Sequence, residues 1–251
     1  MTSRGRQSGD RTGEIARLQT MIATEVSGST GTASWLSGLC RTLARELPAS
    51  GAAISLMTLD GTSATAAASD ADYHAIEELQ FTLGEGPCVD AYATGRPVLV
   101  PDLADRTTAD GSGRWPVYRS DVQGRGVRAV FAFPLQIGAA RLGAMDVFRT
   151  HEGPLSGPAL AQALTFAEVA TMTLLDGQEY APDGQPAGLG VALDTSLEVY
   201  QAQGMVTVQL GVSLVEALAR IRAYAYANDR ALASVARDIV NRKLSLERDE
   251  S

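Results

Sequence analysis

Lysine is almost missing from these 251 residues: 20 of the 21 basic side chains are arginine, and the one lysine, Lys243, stands eight residues from the end. Several chemistries are disfavoured at once. A Gly-Lys-Ser/Thr phosphate loop, a kinase-type strand lysine and a Schiff-base lysine all need a residue that positions 1–242 do not supply. An aspartate phosphoacceptor with a partnering lysine fails on the same ground. Cysteine and histidine are scarce too, with Cys40, Cys88, His74 and His151 as the whole supply. Two cysteines 48 positions apart make neither a disulfide framework nor a cysteine–histidine zinc cluster, so reduced thiols, no metal and no cofactor are expected. No run of 18 apolar residues occurs, and the opening MTSRGRQSGDRTGE lacks the apolar core of a secretory signal. A cytoplasmic protein without a membrane partner is expected.

What the chain does contain is enough to bury one sizeable core or two modest ones: 45% hydrophobic and 20% charged residues, with a net charge of −8. The loop QEYAPDGQPAGLG (178–190) is rich in Gly, Pro, Asp and Gln and reads as a domain boundary. Charge divides there as well. Residues 1–193 carry 14 basic and 21 acidic side chains, whereas Ser196 to Lys243 carry 6 and 4. The expected division is a disordered start (1–12), a short helical lead-in (13–29), a larger domain (30–177), a linker (178–193), a small domain (194–246) and a tail (247–251).

In the larger domain Leu36, Leu39, Cys40, Leu43 and Leu47 form one apolar helical face, stopped by Pro48 and Gly51. Strand patterns follow at 53–59 and 64–68 around the turn signal Asp60-Gly61, and again at 127–135 and 142–148 across Gly138, with 97–100 as a fifth strand. Helical stretches fall at 72–82 and 87–94. A closing helix over 156–176 carries Leu160, Leu164, Ala167, Thr171 and Leu174, spaced as a packing seam or as a face laid on its own sheet. Antiparallel strand pairs with helices at the ends predict an α+β fold. The runs LGEGPCVDAYATGRPVLVPDLA (83–104), Arg114-Trp115, GVRAVFAFPLQIGAARLGAMDVFR (126–149) and GPLS (153–156) resemble the GAF domain of bacterial signalling proteins. The resemblance implies an antiparallel sheet flanked by helices, a pocket for a small-molecule ligand, and a sensory or dimerising role.

The last segment has purely helical periodicity, with helices expected over 197–210, from Leu214 to Asn228-Asp229, and through Leu232, Val235, Ala236, Ile239 and Val240. Ser213 three residues before Glu216 reads as a capping box. This small all-α three-helix unit, VYQAQGMVTVQLGVSLVEALARIRAYAYANDRALASVARDIVNRKL (199–244), resembles the ANTAR domain, a bacterial RNA-binding antitermination module. Where the family commonly has lysine in its first helix, this chain has Gln203, which removes about one counterion from the salt dependence of RNA binding.

Stepping 100° per residue along the middle helix sets Arg222 beside Tyr226 on one flank of the core stripe and Arg220 beside Tyr224 on the other. A guanidinium next to an aromatic plane suits RNA, whose unstacked bases lie on aromatics while the charge meets phosphate. Arg222, Tyr226 and Arg230, with Gln203, Arg220 and Tyr224, are the candidate RNA contacts; the alternative is that the tyrosines seal bundle edges and the arginines are solvated. Cys88 reads as a small buried hydrophobe, because Val89 follows it where bilin-binding relatives have histidine. A cyclic-nucleotide ligand is disfavoured, since Asn-Lys-Phe-Asp-Glu is absent. Asp60, Glu85, Asp102 and Asp105 form no acid–base pair, so no enzyme is expected. The resulting expectation is a homodimeric, signal-responsive regulator that binds hairpin RNA in transcripts and favours transcription read-through. The competing reading is a non-enzymatic dimeric signalling or scaffold protein whose helical end makes protein contacts only.

Overall fold

The computed structural model of the chain describes residues 3–26, 31–58, 63–105, 114–176 and 189–246. A five-stranded sheet in the order β2-β1-β5-β4-β3 forms its centre, with every pairing antiparallel: β1 (Gly51–Met57), β2 (Ser63–Ala68), β3 (Val98–Val100), β4 (Ala129–Ile137) and β5 (Ala140–Arg149). Strand alternation sends each face to a different layer. Ile54, Phe131, Phe133, Leu135, Met145 and Val147 point toward α1 (Ser3–Glu25), α2 (Thr32–Glu46) and α6 (Gly157–Asp176). Ala53, Val130 and Phe148 point the other way, toward α3 (Ala71–Leu83) and α5 (Pro116–Gly124), with α4 (Pro87–Thr94) beside them. The expected α+β sheet domain and the three helices after it are both present. The Asp60-Gly61 turn lies outside the described residues.

Two segments differ from expectation. The first twelve residues were expected to be disordered, yet α1 begins at Ser3 and runs unbroken to Glu25. No proline interrupts it, and with Leu18 and Ile22 anchored in the sheet core each further residue adds one backbone hydrogen bond. The other is α7 (Leu189–Leu210), which starts about eight residues before the expected 197 and shortens the linker; residues 177–188 lie outside the described residues. Helix α5 has no counterpart among the expected elements. Its first turn is capped from a distance, because Glu85 Oε1 accepts from the backbone N–H of both Val117 and Tyr118 at 3.1 Å.

The seam positions of α6 divide. Ala167, Thr171 and Leu174 are buried in the chain's own core and Leu160 packs against it, while Leu164 is 43% exposed. Among the described residues α6 is the one unbroken helix long and apolar enough to cross a membrane, and half of that stretch is buried inside the fold. Leu164→Glu is therefore expected to leave the fold intact, lowering unfolding free energy by about 1 kcal/mol or less in a urea melt. Light scattering of the same variant checks whether this edge joins two copies: an unchanged mass removes α6 from the dimer seam.

Helices α7, α8 (Leu214–Ala227) and α9 (Leu232–Val240) enclose a second core of Val199, Ala202, Val206, Ala217, Ile221, Ala225, Leu232, Val235, Ala236 and Ile239. Ser213 Oγ accepts from Glu216 N–H at 3.2 Å, which is half of the capping box. The Glu216 carboxylate goes to Arg220, at 3.0 Å from Nη2. Leu214, the first residue of α8, is 45% exposed, since the buried stripe passes through Ala217, Ile221 and Ala225.

Candidate nucleic-acid interface

Arg222 and Tyr226 share one flank of α8, and that flank is docked on the sheet domain. The Arg222 guanidinium crosses to the C-terminal end of α3, where Nε donates to the carbonyl of Phe81 at 3.0 Å. Burial there lowers its pKa from the usual guanidinium value. Gly84 follows directly, with a left-handed φ of +71° as the C-cap of α3. A Cβ at this position would stand 2.6 Å from Arg222 Nη1, so glycine both ends the helix and makes room for the arginine. One turn along α8, the Tyr226 hydroxyl donates to Asp121 Oδ2 on α5 at 3.1 Å. This bond and the charge of Asp121 raise the phenol's pKa. Between these contacts lies a crevice of about 350 Å³, bounded by Glu78, Asp121, Arg125, Tyr226, Asp229 and Arg230 among others.

The other expected contacts are placed differently. Arg230 bonds Asp238 Oδ2 at 2.5 Å and Ser234 Oγ at 3.0 Å, an ion pair within the helical domain and not an open cation. Arg220 pairs with Glu216 along α8, and Tyr224 packs partly buried at the edge of the helical core. Gln203 donates to the carbonyl of Leu214 at 2.7 Å, joining α7 to the start of α8. Hence Arg222 is docked on the sensor and Arg230 is paired within the helical domain, and neither stands as an open cation. Helical periodicity fixes which side chains share a flank; it carries no information about what that flank meets.

A second surface escaped the sequence reading. Gly204, Met205, Val208, Ile239, Arg242 and Leu244 line a groove of about 740 Å³ between α7 and the end of α9, with Val208 84% exposed. Arg242, at a left-handed φ of +57°, is exposed at its rim, and Lys243, the next residue in the chain, is exposed as well. The one lysine of the chain was the available signal.

In the sheet domain, the residues that carried the resemblance are structural clamps. Asp90 on α4 receives Arg114 Nη2 at 2.6 Å and Trp115 Nε1 at 3.0 Å, tying the Arg-Trp pair to the α4 helix. Gln80 Oε1 accepts from Cys88 N–H at 2.8 Å, satisfying a donor in the first turn of α4. Both cysteines are buried, and burial raises each thiol well above its usual range.

The model of the GAF domain family matches residues 34–175, more than half of the chain. The chain belongs to the GAF domain family. An ANTAR domain matches residues 187–240, so a GAF sensor is followed by a module of an RNA-binding antitermination family. Both are regulatory families and not catalytic ones, which makes the protein a signal-responsive regulator. The GAF domain of a phosphoenolpyruvate-protein phosphotransferase from Coxiella burnetii superposes with a TM-score of 0.50 at 13% identity, covering 66% of this chain and 95% of that one. Its counterpart from Acinetobacter gives 0.48 at 12% identity, covering 67% and 95%. No curated protein matches the chain. At such identities the shared property is the GAF fold.

Proposed function

We propose that the protein is a cytoplasmic, homodimeric regulator in which the GAF sensor controls access to an RNA-binding face on the ANTAR domain, favouring transcription read-through at hairpin RNA. One observation carries this reading: the flank of α8 that holds an arginine beside a tyrosine is the flank seated on the sensor, through Phe81 and Asp121. A ligand or signal that shifts α3 or α5 then changes how much of the face is free. Phosphate attraction favours the free state, because the sensor half carries the chain's acidic excess and RNA competes for the same guanidinium. Two copies linked in a dimer grip paired hairpins by avidity, which one three-helix unit does not supply. Helix α7 offers an apolar edge for the seam, with Leu197 54% and Tyr200 50% exposed.

The second reading, protein contacts only, draws on the same bonds, since Arg222 and Tyr226 both have protein partners. Titration with stem-loop RNA at two salt concentrations separates the two. Retention that weakens steeply with salt is expected for RNA binding. No retention at low salt, for the full chain and for a variant with the docking contacts removed, leaves the protein-contact reading.

A further inference from the structure

Beneath the turn that seats Arg222, the sensor buries two carboxylates and a thiol together. Glu77 on α3, Cys88 on α4 and Asp146 on β5 are fully buried, and one potential ligand atom from each lies within 4.8 Å of the others. Ser55 donates to Glu77 Oε1 at 2.6 Å, while Gln80 Nε2 donates to both Glu77 Oε2 at 2.9 Å and Asp146 Oδ2 at 2.7 Å. Among the described residues no basic side chain hydrogen-bonds to or pairs with Glu77 or Asp146. Asp146 Oδ1 is buried without a hydrogen-bond partner, and so is the hydroxyl of Tyr118, a fully buried side chain that feels the charges of all three residues. Unpartnered acceptors and adjacent carboxylates are costly in a medium that solvates them poorly. A cation removes both costs.

We propose that Glu77, Cys88 and Asp146 form a site for one divalent transition-metal ion. Sulfur among the donors selects zinc, ferrous iron or cobalt over magnesium and calcium, which take oxygen. Donor atoms around tetrahedral zinc stand roughly 3.3–3.8 Å apart, so the three groups close by at most about 1.5 Å on binding. Binding displaces the thiol proton and any proton held by the carboxyl pair. A composition argument that counts cysteine and histidine overlooks this site, because two of its three ligands are acidic and one is a strand residue remote in sequence. The ion fastens α3, α4 and β5 to one another and thereby stiffens α3, one of the two helices on which the ANTAR domain rests. The proposal does not depend on RNA binding, and its test reads none.

The test uses the untagged full chain, stripped with a chelator, kept reduced and titrated with cobalt(II). One equivalent bound per chain, with thiolate-to-cobalt charge-transfer absorption in the near ultraviolet that zinc abolishes, is the expected result. Cys88→Ser is expected to lose that absorption and to weaken binding about tenfold or more, whereas Cys40→Ser keeps both. If C88S does not fold, Glu77→Gln, which keeps the shape of the side chain, is expected to weaken cobalt binding by a similar factor. Absence of bound cobalt or of the thiolate band in the unmodified chain, a band that survives in folded C88S, or unchanged affinity in folded E77Q overturns the site.

Discussion

Asp121→Ala is expected to tighten stem-loop RNA binding by about fivefold, although Asp121 belongs to the sensor. The substitution removes the acceptor of the Tyr226 hydroxyl, a contact worth about 1 kcal/mol, and leaves every candidate RNA contact in place. Apparent affinity rises with the fraction of molecules whose binding face is free, and 1 kcal/mol is about a fivefold change in that ratio. Arg222→Ala loosens the same interface, through loss of a charge-assisted bond to Phe81, but it also deletes a cation from the proposed RNA face. Its signature is a fall of about one in the slope of log affinity against log salt. Asp121→Ala leaves that slope unchanged. Small-angle scattering is expected to show both variants more extended than the unmodified chain. If both extend and neither alters RNA affinity or its salt slope, the α8 flank is an architectural contact and the gating reading is lost.

The largest loss of stability is expected at Gly143, on β5. Strand β5 lies beside β1 with Ser55 opposite Ala144 and Leu56 opposite Gly143, and a Cβ at position 143 would fall 1.8 Å from the Ser55 carbonyl oxygen. The obstacle is backbone in the centre of the sheet, so neither rotamer change nor side-chain drift relieves it. Gly143→Ala is expected to cost about 3 kcal/mol or more, read as an earlier thermal transition by circular dichroism. Gly157→Ala is the internal comparison. At the first residue of α6 a Cβ meets nothing within 4 Å, and alanine there is expected to be neutral or to stabilise by up to about 1 kcal/mol. Equal melting temperatures for the two variants would show that β1 and β5 can separate locally without cost.

Much of the architecture was legible because local periodicity and burial coincide. The apolar face Leu36, Leu39, Cys40, Leu43 and Leu47 is the buried face of α2, and the strand pairs around 60 and 138 are the β1–β2 and β4–β5 ladders. Helix α5 was not legible, since it depends on a side chain 32 residues away: Glu85 supplies the cap that its own first turn lacks. The continuity of α1 was hidden for a related reason. Its polar first half has no periodic apolar stripe, and what holds the helix is the later anchoring of Leu18 and Ile22.

By itself the sequence determined the strand pairing and which arginine and tyrosine share a flank of α8, because each follows from spacing along a helix or strand, while resemblance to two families carried the GAF and ANTAR order. Only the tertiary structure decided that this flank meets Phe81 and Asp121, that Arg230 is held by Asp238, and that Glu77, Cys88 and Asp146 converge. Those outcomes join residues from 8 to 141 positions apart, through bonds whose partners are set by how whole elements pack. No local pattern encodes them; the shape of the core does, by fixing which helix end lies against which strand.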